Sequence, residues 1–185
     1  RTLSTKALEL ELQRSLHYLQ DESLESKLAC IAQFKKNHQF KIGLMDLAGE
    51  LPIAKVSDAL TNLASAILKQ TKKLAVNQLL LMPEHQTVHL QLIEDFAIVA
   101  YGKLASLEMS YSSDLDLVFL YDTHHSSKSP ESCQQFFVKL AQTILLYLST
   151  TTPFGIPYKV DCRLRPFGET GPLINKLTSF FHYQH

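Results

Sequence analysis

Apolar residues at Leu8, Leu12, Leu16 and Leu19 are spaced as one face of a helix, and a second stripe of Leu24, Leu28 and Ile31 follows the acidic break Asp21-Glu22. Both segments are expected to be amphipathic helices. Residues 44–48 either carry the second helix onward or begin another, before Gly49 supplies a left-handed stop and Pro52 the pre-set φ of a new first turn. The long helix predicted next places Ile53, Val56, Leu60, Leu63, Ile67 and Leu74 on one side, with Pro83 as its limit. Residues 1–82 thus read as a helical subdomain, without an internal repeat or a low-complexity tract.

Beyond the loop with Pro83, His85 and His89 the period changes. Residues 96–101, Phe-Ala-Ile-Val-Ala-Tyr, form a continuous β-rich run, as expected of a strand buried on both faces, and residues 115–121 form a second. Ser129-Pro130-Glu131 offers a cap, a first-turn proline and a first-turn acid to a helix whose Cys133, Phe136, Phe137, Leu140, Ile144, Leu145 and Leu148 share one face. A third strand is expected over residues 158–163, ended by the loop 166–172 with Gly168 and Gly171. The fold class is therefore α+β, with a sheet and a helix packed on it following the helical subdomain.

Composition narrows the classes. The 185 residues carry 18 Lys+Arg against 18 Asp+Glu and are 45% hydrophobic, which excludes disorder driven by charge repulsion and gives no electrostatic reason to expect nucleic-acid binding. Six glycines and seven prolines are few for this length, consistent with long helices and few connections. The longest unbroken apolar run is six residues, far short of the roughly twenty that span a bilayer, so no membrane helix is expected. Cys30, Cys133 and Cys162 are odd in number and lack a Cys-x-x-Cys spacing, which argues for a reducing compartment, the cytoplasm, over a disulfide or zinc framework. The start at Arg1 without an initiator Met, and a helical pattern at residues 178–185 that runs to the last residue, read as a piece of a longer protein.

Candidate chemistry lies at the second strand. Asp114 and Asp116 are two apart, so the pleat puts both on one face while Leu115, Leu117 and Phe119 point to the other. A divalent cation would relieve their repulsion, and magnesium takes such oxygen ligands together with substrate phosphates. A solvated strand end is the plainer reading of Asp-x-Asp alone. Gly102-Lys103 ends the preceding strand, where a glycine lets backbone N–H groups approach a phosphate. On the third strand Asp161, Arg163 and Arg165 alternate with Cys162 and Leu164, putting an acid and two guanidinium groups on one face if the strand stays regular. Pairing of Arg163 and Arg165 with structural groups is the alternative.

Gly102-Lys103-Leu104, Ser113-Asp114-Leu115-Asp116-Leu117 and Asp161-Cys162-Arg163-Leu164-Arg165-Pro166-Phe167-Gly168 resemble the glutamine synthetase adenylyltransferase family, within the polymerase-beta-like nucleotidyltransferase superfamily. The resemblance covers about residues 41–185, including Asp46-Leu47-Ala48-Gly49 and Lys55-Val56-Ser57-Asp58. Family members carry two related domains, one attaching AMP to a tyrosine of glutamine synthetase and one removing it by phosphorolysis. Phe119-Leu120-Tyr121-Asp122, Leu140-Ala141-Gln142 and Ser149-Thr150-Thr151-Thr152 look more like the attaching, C-terminal half. The family usually follows Gly-Lys-Leu with two glycines, which are Ala105 and Ser106 here.

Behind the helical subdomain at 1–82, the resemblance implies a polymerase-beta-like nucleotidyltransferase domain at 83–185, with a mixed sheet packed by helices and short of its C-terminal helical continuation. It implies Asp114, Asp116 and Asp161 as catalytic ligands of magnesium, with Gly102, Lys103, Ser113, Arg163 and Arg165 binding ATP. Glutamine synthetase is the implied protein substrate, and the PII signal protein a partner of the full-length protein. Deadenylylation, another transfer such as uridylylation or RNA extension, and a non-catalytic docking module are the rival readings. His124-His125 read as solvated loop residues, Lys35-Lys36 and Lys72-Lys73 as exposed helix faces, Phe180 and Phe181 as contacts to a missing helix, and Cys162 as a small core residue.

Overall fold

A computed structural model describes residues 4–83, 90–123 and 130–184. Three helices come first: α1 (Thr5–His17), α2 (Leu24–Leu47) and α3 (Ile53–Leu80). The hydroxyl oxygens of Ser4 and Ser23 accept the N–H groups of Ala7 and Ser26, satisfying orphan donors at the starts of α1 and α2. Residues 44–47 continue α2, which ends where the Glu50 and Gly49 N–H groups return to the carbonyls of Met45 and Asp46, with Gly49 at φ +70°. The left-handed stop expected at Gly49 is thus present, and its hydrogen bonds make it a Schellman motif. Pro52 stands just ahead of α3, in extended backbone, rather than inside its first turn.

The long helix α3 buries Val56, Leu60, Leu63, Ile67 and Leu79 and packs against α1, α2 and the later helix α5 (Pro130–Ser149). On α5 the expected face is buried from Cys133 to Leu148, with Leu145 only partly covered. The expectations for His85, His89, His124-His125 and the Ser129 cap lie outside the described residues. A 3₁₀ turn at Leu90–Asp95, unforeseen in the sequence, leads into the sheet.

The sheet comprises β1 (Phe96–Tyr101), β2 (Leu115–Tyr121), β3 (Val160–Asp161) and β4 (Ile174–Lys176), with a short helix α4 (Gly102–Ala105) after β1 and α6 (Leu177–Gln184) after β4. Strand β2 pairs antiparallel with β1, matching Tyr101 to Asp116, and parallel with both β3 and β4 along its other side. The sheet is mixed, as expected. Alternation divides β2 cleanly: Leu115, Leu117, Phe119 and Tyr121 enter the main core shared with the helices, while Val118 and Leu120 join Phe180 in a small second cluster.

Several expectations need correction. Strand β1 is not buried on both faces; Phe96 is buried, Ala97 exposed and the rest intermediate, because the main core covers Ile98 and Ala100 only in part and the small second cluster does the same for Val99 and Tyr101. Phe180 packs on Val118 and Leu120 instead of awaiting a helix, although Phe181 is exposed. Lys35 and Lys72 are half-buried: Lys35 Nζ lies 4.2 Å from the Tyr158 ring centroid, and Lys72 Nζ donates to the Phe96 carbonyl at 2.8 Å. Burial lowers the pKa of both ammonium groups. Lys73 pairs with Glu9, and Lys36 is exposed as foreseen. The three cysteines are free thiols, and Cys162 packs partly against the main core.

Candidate active site at the open end of the sheet

Because Phe180 covers Val118 and Leu120, the same face of β2 is dry at its far end and open where Asp116 and Asp114 stand. Asp116 is matched to Asp161 in the parallel β2–β3 pairing, so two carboxylates occupy neighbouring positions on adjacent strands. Asp114 is exposed just ahead of β2. On the opposite flank Gly102 opens α4 with φ +52°, and a Cβ built there would overlap Oδ2 of Asp116 and lie 3.2 Å from its Cγ. Only glycine meets both demands, the left-handed backbone and the close approach to a carboxylate. Lys103 follows, exposed; its carbonyl accepts the Glu108 N–H at 2.8 Å, and its ammonium group has no hydrogen bond or ion pair among the described residues.

The third strand stops at Asp161, two residues earlier than expected. The Asp161 side chain causes the stop: Oδ1 accepts the Arg163 N–H at 2.8 Å, bending the chain out of the sheet in an Asx-type turn. The Arg163 guanidinium then doubles back onto the same carboxylate, its Nε 3.1 and 2.9 Å from the two oxygens and its Nη2 on Oδ2. These hydrogen bonds hold the Asp161 carboxyl below its ordinary pKa. Arg165 does not share that face. Its guanidinium donates to the carbonyls of Cys162, Glu169 and Gly171, stapling a loop in which Phe167 and Gly168 both have positive φ.

Ser113 closes a turn ahead of Asp114, accepting the Ser110 N–H at 2.9 Å and sharing a hydrogen bond with the Ser110 hydroxyl. Ala105 is helical and Ser106 has φ −81°, so neither occupies a conformation that demands glycine; the positive φ falls on Leu107, at 61°. Two features escaped sequence reasoning. Tyr111, in the Ser110–Ser113 turn, is tied to α2, and Lys159 lines a cleft of about 550 Å³ with Asp114, Asp161, Arg163, Arg165 and Glu169. Alternation run upstream from Asp161 would have found Lys159; the Tyr111 contact spans too much sequence for any local pattern.

Asp114, Asp116 and Asp161 supply the hard oxygen donors magnesium prefers, and the register of β2 and β3 puts the last two side by side. Among the described residues no three acidic, histidine or cysteine side chains converge closely enough to hold a metal, since Asp161 is turned to Arg163. The donor types and strand positions fit such an ion, with the Asp161–Arg163 pair as the competing arrangement.

Fold and site together define an α+β protein whose sheet opens on an acidic end flanked by a glycine–lysine turn and arginines. The chain belongs to the glutamate–ammonia ligase adenylyltransferase family, whose profile matches residues 1–185, beyond the span from about residue 41 that the motifs suggested. It is 39% identical over 184 residues to a bifunctional glutamine synthetase adenylyltransferase/adenylyl-removing enzyme of Haemophilus ducreyi. It is 43% identical over 183 residues to the enzyme of the same name from Mannheimia succiniciproducens. Each alignment covers 94% of this chain but only 19% and 18% of the relatives, so the chain spans about a fifth of their length.

Proposed function

We propose that this chain carries a nucleotidyl-transfer site that moves AMP from ATP to a tyrosine hydroxyl of glutamine synthetase, in the cytoplasm, as part of the control of nitrogen assimilation. The observation that carries the reading is the pairing of Asp116 with Asp161 on adjacent strands, with Gly102 pressed against Asp116. Two magnesium ions held by Asp114, Asp116 and Asp161 would neutralise phosphate charge and acidify the attacking hydroxyl when bound. Lys103 meets the leaving polyphosphate from the β1 flank, and the N–H groups opening α4 can approach a phosphate because Gly102 has no side chain. Ser113 can turn its hydroxyl proton to a phosphate oxygen. Arg163, released from Asp161, offers a forked pair of donors to the nucleotide, and Arg165 acts by holding the loop beside it. In the full-length protein, PII signal protein is the regulatory partner this reading implies.

Removal of AMP by phosphorolysis is a second reading, supported by the names of the relatives and by Lys159, which lines the cleft with Asp114 and Asp161 and whose ammonium group has no ion pair among the described residues. The test is incubation of the chain with α-labelled ATP, magnesium and unmodified glutamine synthetase. Label on a tyrosine with release of pyrophosphate is expected, and Asp114→Asn, Asp116→Asn and Asp161→Asn should each abolish it while leaving the circular dichroism spectrum unchanged. Near-normal turnover in any one variant removes that residue from the site. Production of ADP from AMP-modified enzyme and phosphate, without forward labelling, moves the chain to the removing activity.

A further inference from the structure

One face of α2 touches the approaches to both acid-bearing strands. Gln39 and Asp46 hydrogen-bond Tyr111, and Gly43 lies beside its ring. Lys35, one turn before Gln39 on the same face, places Nζ 4.2 Å from the Tyr158 ring centroid. Tyr111 shortly precedes Asp114, and Tyr158 stands in the same relation to Asp161. Tyr158 is buried, and its N–H donates to the Leu148 carbonyl in the last turn of α5 at 3.0 Å. The carbonyl of the next residue, Lys159, accepts the Leu115 N–H at 2.9 Å, so the ring belongs to the segment that delivers Asp161 beside Asp116.

Packing alone does not account for Lys35. Its ammonium group is half-buried and has no hydrogen bond or ion pair among the described residues, and burial lowers its pKa. Methionine would fill the same space without that desolvation cost. Lys72, half-buried in the same way, has the Phe96 carbonyl as acceptor, whereas Lys35 has the face of an aromatic ring. The attraction between charge and ring is directional, because it lasts only while the face stays under the ammonium group.

We propose that this face of α2 sets the spacing of the acids, with Lys35 a positioning residue that acts on Asp161 through Tyr158, while Gln39 and Asp46 act on Asp114 through Tyr111. The inference rests on the nucleotidyl-transfer reading above. Carboxylates that share a magnesium–nucleotide complex must be held at a fixed separation by groups behind them. Asp114 stands ahead of β2 and Asp161 ends β3, so strand pairing alone does not fix that separation. A single helix tied to both strand entries does so without touching the ligand.

Calorimetric titration of a non-hydrolysable ATP analogue, with magnesium present, tests this on the parent chain, Lys35→Met, Lys35→Arg, Tyr111→Phe and Lys72→Met, each checked for folding by circular dichroism. Lys35→Met should bind the analogue about fivefold more weakly, the factor that one cation–π contact represents, and Lys35→Arg should recover to within about twofold of the parent. Tyr111→Phe should weaken binding by a similar factor from the side of Asp114. Lys72→Met should lose stability but no affinity, because Phe96 pairs with Tyr121 at the end of β2 opposite the acids. Unchanged affinity in either Lys35→Met or Tyr111→Phe overturns the shared spacing. An equal loss in Lys72→Met also overturns it, by tracing the effect to the fold at large, as does a Lys35→Arg variant that recovers nothing. A parent chain that fails to bind the analogue overturns the nucleotidyl-transfer reading, and this inference with it.

Discussion

The Tyr111 hydroxyl donates to Oδ2 of Asp46 at 3.1 Å, joining the turn that precedes the acidic strand to a helix 65 residues earlier. Gln39 adds a second tie, its Nε2 donating to the Tyr111 carbonyl at 3.2 Å, and the ring lies beside Gly43, where a Cβ would meet it at an ordinary 3.7 Å. This latch sets where Ser113 and Asp114 emerge. Tyr111→Phe should cost roughly 0.5–1 kcal/mol in urea unfolding, since the pair is partly exposed. Asp46→Asn should cost no more, and the double variant should match Tyr111→Phe. Additive losses would mean that the hydroxyl and the carboxylate act separately.

Gly102→Ala should damage the site more than the fold. The substitution meets a left-handed backbone penalty of about 1–2 kcal/mol and also pushes Asp116 aside. Gly49→Ala is the matched control, because Gly49 has φ +70° with nothing within 4 Å of a built Cβ. Both variants should lose similar stability, but only Gly102→Ala should lose magnesium-dependent binding of an ATP analogue. Equal retention of binding would remove the Gly102–Asp116 approach from the site.

Leu107 bears a strain that a single substitution can relieve. It is 57% exposed with φ 61°, so Leu107→Gly gives up little packing and should stabilise the protein by about 1 kcal/mol in chemical denaturation. Ala105→Gly should do the reverse by roughly 0.5–1 kcal/mol, because residue 105 is helical. Neither change should alter nucleotide affinity; tighter binding in Ala105→Gly would show that the missing family glycine matters for phosphate contact after all.

His38 makes stability depend on pH. It is 7% exposed, and burial lowers its pKa first, with Lys41 acting the same way; Glu11, 3.3 Å from Nε2, opposes both and is outweighed. The unfolded chain therefore takes up a proton near the ordinary histidine value while the folded chain does not. This contribution is intact above about pH 6.5 and is lost as pH falls below it. Urea midpoints should drop from pH 7 to pH 5, and the slope should flatten in His38→Gln. An unchanged slope would assign the acid sensitivity to other groups.

The acids of β2 were readable because a two-residue period needs only local sequence, and Leu115, Leu117 and Phe119 mark the opposite face without ambiguity. The end of β3 was not, since the Asp161 side chain competes for the Arg163 N–H and breaks the period that placed Arg163 and Arg165 beside it. Lys35 and Lys72 look like surface residues on their own helices, and only packing against Tyr158 and Phe96 gives them partners. Strand β4, three residues long, is too short to carry a pattern.

The packing of Phe180 on Val118 and Leu120 also shapes the electric field at the acidic end. An apolar wall polarises far less than water, so it screens the neighbouring charges poorly. Field lines from Asp116 are thereby crowded toward the open side, where Asp114 and Asp161 add to them. A cation arriving along the strand direction is drawn in more strongly than one arriving from the side of α6. Phe180, on the dry part of the same face, thus helps to give the acids a direction of approach.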